Sequence, residues 1–256
     1  MRGSGLVAGI LAITMTVAGC AAGGEQAASS SSSAAPSART IVLINPNSSA
    51  SATASMVELA KAEAGGAATI VGITNEEAPA LLTTQQDMVA AARGVHRRGV
   101  EAAKDPSVAA VIVSAFSDPG LAELDESLTI PVFGIGTEAF REASKDGRAF
   151  GIATVTSDPA LVESFRQKAA DLGVESQYRG VRVTPGDATE LVKSPDRLDA
   201  ALRDAVRQSV DQDGAAAVIM GGGPLSPSAL RLQPTVEVPL VVAVNAAVRS
   251  ALKAVR

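Results

Sequence analysis

Only one of the 256 residues is a cysteine, Cys20. An intramolecular disulfide is therefore excluded, and no thiol exists anywhere beyond residue 20. Tryptophan is absent, tyrosine occurs once and aromatics make up 2% of the chain, so a core has to be built mainly from Ala, Val, Leu and Ile. Positive charge is not in excess either, with a net charge of −5. The densest basic run, "RGVHRR" at 93–98, is too short to track a phosphate backbone, so no nucleic-acid partner is expected. Its single histidine, His96, sits among Arg93, Arg97 and Arg98 in a helical stretch and reads as a surface residue. The chain has no Gly-rich phosphate loop and no metal-ligand cluster. "GIGTEA" at 134–139 lacks the spacing of a dinucleotide fingerprint, so neither cofactor nor metal is expected.

What is present begins with an apolar run from Leu6 to about Val17 behind one early Arg. It is shorter than the roughly 20 residues of a membrane span and fits a secretory signal over residues 1–20. Val17-Ala18-Gly19-Cys20 resembles the lipobox of bacterial lipoproteins, in which the cysteine is acylated and becomes the first mature residue. This implies an extracytoplasmic protein anchored to a bacterial membrane by lipid on Cys20. Residues 21–39, rich in Ser, Ala and Gly, read as a flexible tether, and a folded domain is expected over 40–256.

From Thr40 onward, Val/Ile-rich runs such as "TIVLINP", "ATIVGIT", "VAAVIVSAF", "IPVFGIG", "AFGIATVT", "YRGVRVT", "AAAVIMG" and "VPLVVAV" alternate with longer amphipathic stretches. This predicts an α/β fold of parallel sheets flanked by helices, with strands covered on both faces. "AAVIVSAFSDPG" at 109–120 also aligns with "AAVIMGGGPLSP" at 216–227, and "IVLINPNSS" from Ile41 aligns with "FGIATVTSD" from Phe150. The expectation is two pseudo-symmetric lobes from repeats at about 40–148 and 149–256, with an interlobe cleft at the strand ends. In that alignment Asn45 and Asn47 correspond to Thr154 and Thr156, and Ala115 corresponds to Gly222.

The candidate binding residues stand at those strand ends: Asn45, Asn47, Ser48, Ser114, Phe116, Asp118, Thr154, Thr156, Gly221 and Gly223. "NPNSS" before an amphipathic stretch is also a good helix cap, and a capped N-terminus facing a cleft suits an anion. "GGG" at 221–223 permits close backbone approach or a tight turn. Asp118 is the one titratable group among these residues. It reads either as a base or as a cap on a short helix starting at Pro119.

Together, "INPNSS" (44–49), "AFSDPGL" (115–121), "IPVFGIGTEA" (130–139) and "MGGGPLS" (220–226) resemble the motifs of the aspartate/glutamate/hydantoin racemase superfamily, most closely its hydantoin racemase branch. The resemblance implies two lobes that each supply a cysteine to opposite faces of a substrate carbon, without a cofactor. Those positions fall on Ala115 and Gly222, neither of which can carry a proton. Ser114 and Ser226 cannot substitute without an adjacent general base.

Two functions follow. In the first, the protein binds a small carboxylate, amino acid, ureido or hydantoin-like ligand in the cleft. In the second, it is an active racemase or isomerase with another acid–base residue, Asp118 leading. A homo-oligomer is compatible with either.

Overall fold

A computed structural model describes residues 39–255. The signal, lipid-anchor and nearly all of the tether expectations fall outside the described residues. Among the described residues no helix is long and apolar enough to cross a membrane.

The first half runs β1 (Thr40–Asn45), α1 (Ala50–Ala64), β2 (Thr69–Thr74), α2 (Gln85–Ala102), β3 (Val108–Val113), α3 (Leu121–Ser127), β4 (Val132–Gly134) and α4 (Ile135–Ala143). The second half runs β5 (Phe150–Thr154), α5 (Pro159–Asp171), β6 (Tyr178–Val183), α6 (Ala188–Leu191), α7 (Pro195–Asp211), β7 (Val218–Met220), α8 (Ser226–Leu232), β8 (Leu240–Val241) and α9 (Ala243–Ala254). The strands form two sheets, ordered β2-β1-β3-β4 and β6-β5-β7-β8. All pairings are parallel. The registers match as well, with Ile44 beside Val113 in one sheet and Ala153 beside Met220 in the other. The two halves therefore share one topology, down to the residues that lead into the strand-end loops.

The central strands are apolar between their ends because each face meets a different core. Ile41 and Leu43 of β1 join a cluster that also holds Phe150 and Ile152 of β5, so this core is common to both lobes. Val42 and Ile44 face the other way, against Val95 of α2 and Leu124 of α3. In the second lobe Ala153, Val218 and Met220 pack outward against Leu198, Leu202 and Val206 of α7. The edge strands β2 and β6 depart from the expected two-sided cover. Each pairs on one side only, and Val71 and Val183 remain exposed.

The expected strands "IPVFGIG" and "VPLVVAV" are strands for only two or three residues before turning into α4 and α9 with hardly a loop. Gly134 both ends β4 and caps α4, and no turn residue separates β8 from α9, so the apolar runs hide both boundaries. Both helices cross the lobe boundary. The α9 helix packs on α1, β3, β4 and α4, while α4 reaches β7 and β8. The scarce aromatics are concentrated at this seam. Phe140 of α4 lies 5.4 Å from Phe150 and 6.4 Å from Tyr178, and Phe116 lies 5.8 Å from Phe140 and 5.1 Å from Phe165. Arg249 of α9 adds ion pairs to Glu63 (2.7 Å) and Glu142 (2.5 Å).

Candidate functional site

A cavity of about 60 Å³ lies between the lobes at the strand ends. That is several times the roughly 10–15 Å³ that one water requires. Ala115 and Gly222 both line it, one from each lobe, each two residues beyond the last residue of its strand. Of the expected binding residues, Asn47, Ser114, Phe116, Thr154, Thr156, Gly221 and Gly223 also line it, whereas Asn45, Ser48 and Asp118 do not.

Asn45 is buried behind the wall, where it orients Asn47. Its Nδ2 donates to Asn47 Oδ1 (2.8 Å) and Thr53 Oγ1 (3.0 Å), and its Oδ1 accepts the Asn47 N–H (3.2 Å). Asn47 Oδ1 also accepts the Ser49 N–H at 2.9 Å. A backbone N–H can only donate, so the atom facing it must be oxygen. The Asn47 Nδ2 amide is thereby left as a donor on a residue that lines the cavity. Ser49, one residue beyond Ser48, caps α1 by accepting from the Ala52 N–H.

On the facing lobe, Thr154 Oγ1 donates to the Gly221 carbonyl (3.0 Å) and Thr156 Oγ1 to the Thr83 carbonyl (2.9 Å). With their protons committed, both hydroxyls retain acceptor capacity. The Ser114 hydroxyl donates to Met56 Sδ (3.1 Å), and the buried Ser117 Oγ has no partner. None of the lining residues carries a titratable side chain.

Sequence reasoning missed an apolar wall of Leu81, Leu82, Met88, Leu161, Phe165 and Val192. Part of it is fixed by a capping box that was legible as Thr84-x-x-Asp87. The Asp87 N–H donates to Thr84 Oγ1 (3.1 Å), while Asp87 Oδ2 accepts the Thr83 and Thr84 N–H groups at 3.0 Å each. Burial pushes the Asp87 carboxyl up, but these N–H groups and the threonine hydroxyls outweigh it and hold it below the usual carboxylate range.

Two expectations need correction. Asp118 does not cap the helix after Pro119, because α3 begins behind Gly120 with no side-chain cap. Its carboxylate instead reaches α4, accepting the Gly136 N–H (2.8 Å), the Thr137 N–H (2.7 Å) and the Thr137 hydroxyl (2.8 Å), and it pairs with Lys168 Nζ at 2.5 Å. Four donors converge on a carboxylate that stands off the cavity, so it is poorly placed to take a substrate proton. This convergence also accounts for its left-handed backbone, φ 56°, since neighbouring contacts must stabilise a non-glycine there. His96 lies on α2 with Nε2 2.8 Å from Ser127 Oγ, outside the cavity lining.

The architecture matches solved racemases. Allantoin racemase from Klebsiella pneumoniae superimposes with a TM-score of 0.78 at 24% identity, covering 84% of this chain and 86% of that one. Allantoin racemase from Pseudomonas fluorescens gives 0.77 at 26% identity, covering 84% and 89%. In sequence, the hydantoin racemase of Rhizobium meliloti is 29% identical over 82% of this chain and 86% of its own length. Residues 41–251 match the Asp/Glu/hydantoin racemase family as a whole. With that match running through both lobes and every cavity-lining segment, the chain belongs to the Asp/Glu/hydantoin racemase family.

Proposed function

We propose that this protein binds a small, uncharged ureido or imide ligand in the interlobe cavity and does not racemise it by two-thiol proton transfer. One observation carries the reading: the wall that holds Ala115 and Gly222 has hydrogen-bonding groups but no acid or base. The Asn47 amide supplies a donor, and Thr154 and Thr156 supply acceptors. A ligand with C=O and N–H groups side by side complements that set, and the apolar wall suits a hydrocarbon substituent. A free carboxylate fits less well, since no cation lines the cavity and a buried unpaired charge is costly. The relatives named for hydantoin and allantoin racemisation act on compounds of this ureido kind.

The test is a thermal-shift series with 5-substituted hydantoins, allantoin and free amino acids. A ureido compound at 100 times its Kd is expected to stabilise the protein by about 2.7 kcal/mol, and Asn47→Leu should abolish the shift. In deuterated water the bound compound should exchange its α-proton no faster than in buffer. Silence from every ureido compound, or exchange well above buffer, sinks the reading.

The anchor belongs to the same proposal. Val17-Ala18-Gly19-Cys20 supports acylation at Cys20 and an extracytoplasmic position on a bacterial membrane, with the domain on a Ser/Ala tether. Cys20→Ser is expected to leave the protein soluble after fractionation with unchanged thermal stability. Retention of that variant on membranes through high-salt and carbonate washes would rule the lipid anchor out.

A further inference from the structure

Beside the cavity runs a larger groove of about 630 Å³ between α2, α3 and α5. Met88 and Ser117 line both, so those two side chains form the partition between them. Lys168 also lines the groove, and its ammonium crosses from α5 in the second lobe to Asp118 in the first. The pair is well buried, with side chains 17% and 2% exposed. Lys168 Nζ further contacts the Ser117 carbonyl at 3.4 Å.

The pair is coupled to the cavity on both sides. Asp118 follows directly on Ala115, Phe116 and Ser117, which line the cavity from one side. Lys168 stands on the same helix as Leu161 and Phe165, which form the facing wall. At spacings of four and three residues, Leu161, Phe165 and Lys168 share one helical face. Elsewhere the lobes are joined by the seam of α4 and α9, with its aromatic rings and Arg249 ion pairs, and by the Thr156 hydroxyl bond to the Thr83 carbonyl. Beside that bond a smaller groove of about 410 Å³ shares Thr83, Val155 and Thr156 with the cavity. At the groove side, the cross-lobe contacts that bracket the partition are the Phe116–Phe165 edge contact and this ion pair.

We propose that Asp118–Lys168 is a latch that holds the α5 wall against the 115–118 loop, and that the groove is the route by which a ligand reaches the cavity. Release of the latch lets α5 move away from the loop, and the Met88/Ser117 partition opens. Lys168 is thus a positioning residue, since it sets access without touching the ligand. The inference rests on the cavity being the binding site proposed above, but its test needs no ligand, so the two can fail separately.

The test uses the full chain with Cys20→Ser, so that one introduced cysteine is the only thiol. Ala115→Cys reports on the cavity through its rate of reaction with methyl methanethiosulfonate, a small neutral reagent. Ser209→Cys is the control: Ser209 is fully buried on α7, outside the cavity lining, and its hydroxyl has no partner to lose. Adding Lys168→Met should speed labelling at position 115 by about tenfold or more, since removing one partner of a buried pair abolishes its hold. Labelling at 209 should stay within about twofold, and Lys168→Arg should restore the slow rate. Gln167→Trp, which fills the groove, should slow labelling at 115. No acceleration at 115, or equal acceleration at both positions, overturns the latch. A groove-filling variant that labels at the original rate overturns the route.

Discussion

The double variant Ala115→Cys with Gly222→Cys is expected to exchange the α-proton of a 5-monosubstituted hydantoin and to interconvert its enantiomers, whereas either single variant can exchange the proton from one face only and should not interconvert them efficiently. Both positions line one cavity from opposite lobes, so two thiols would approach one bound carbon from two sides. A single thiol can remove and return a proton on one face only. Gly222 can take a side chain without backbone strain. Its φ is 175° with ψ 140°, ordinary extended backbone that any residue adopts. A Cβ there would lie 3.1 Å from Leu225 Cγ and 3.3 Å from Cδ1, so a flexible side chain has to yield by a few tenths of an ångström. Positioned acid–base groups contribute about 10²–10⁴-fold, and exchange in deuterated water about 100-fold above the parent protein is the expected scale. The cavity has no cation to favour thiolate, so the rate should climb with pH through about 8.5, the pKa of an unassisted thiol. A folded double variant that binds the hydantoin yet exchanges nothing would show that the two side chains do not converge on one carbon.

Asp118→Ala is expected to be among the most destabilising single changes in the protein, by about 3–5 kcal/mol, as for other broken buried pairs. It strands the Lys168 ammonium and leaves the Gly136 and Thr137 N–H groups at the start of α4 without their acceptor. It also places alanine at φ 56°, which disfavours an ordinary side chain by about 1 kcal/mol. Asp118→Asn should cost less, because Asn tolerates that backbone and keeps one acceptor oxygen. Adding Lys168→Met to Asp118→Ala should recover part of the loss. Urea denaturation measures all three, and a loss below about 1 kcal/mol for Asp118→Ala would mean that the interlobe pair contributes little.

Where sequence reasoning succeeded, the information was local or repeated. Alternating Val/Ile runs and amphipathic stretches specify strands and helices by their periodicity. The match of "AAVIVSAFSDPG" with "AAVIMGGGPLSP" reflects strands that hold the same place in their sheets, with the same register to β1 and β5. Asn47, Thr154 and Thr156 were legible as cavity residues because they sit at the ends of those strands. What was not legible depends on partners distant in the chain. Nothing near Asp118 in sequence announces that its donors are Gly136, Thr137 and Lys168. Leu81, Phe165 and Val192 look like any core residues until the fold brings them to one wall. The starts of α4 and α9 were hidden for a different reason, because each strand runs straight into its helix. Gly134 serves as both strand end and cap for α4, and no Gly, Pro or Asn stands between β8 and α9.

The crossing of α9 onto β3, β4 and α1 also governs the order in which the protein can be completed. Residues 243–254 follow every strand of both sheets in the chain, yet they form a wall of the half that is synthesised first. A nascent chain that has finished β4 and α4 still lacks the Val244, Ala247, Val248 and Ala251 surface that joins its core, so its first lobe cannot close while the rest is being made. Completion is thereby deferred until α9 itself has been synthesised. Deleting α9 would for the same reason wound the first lobe before the second.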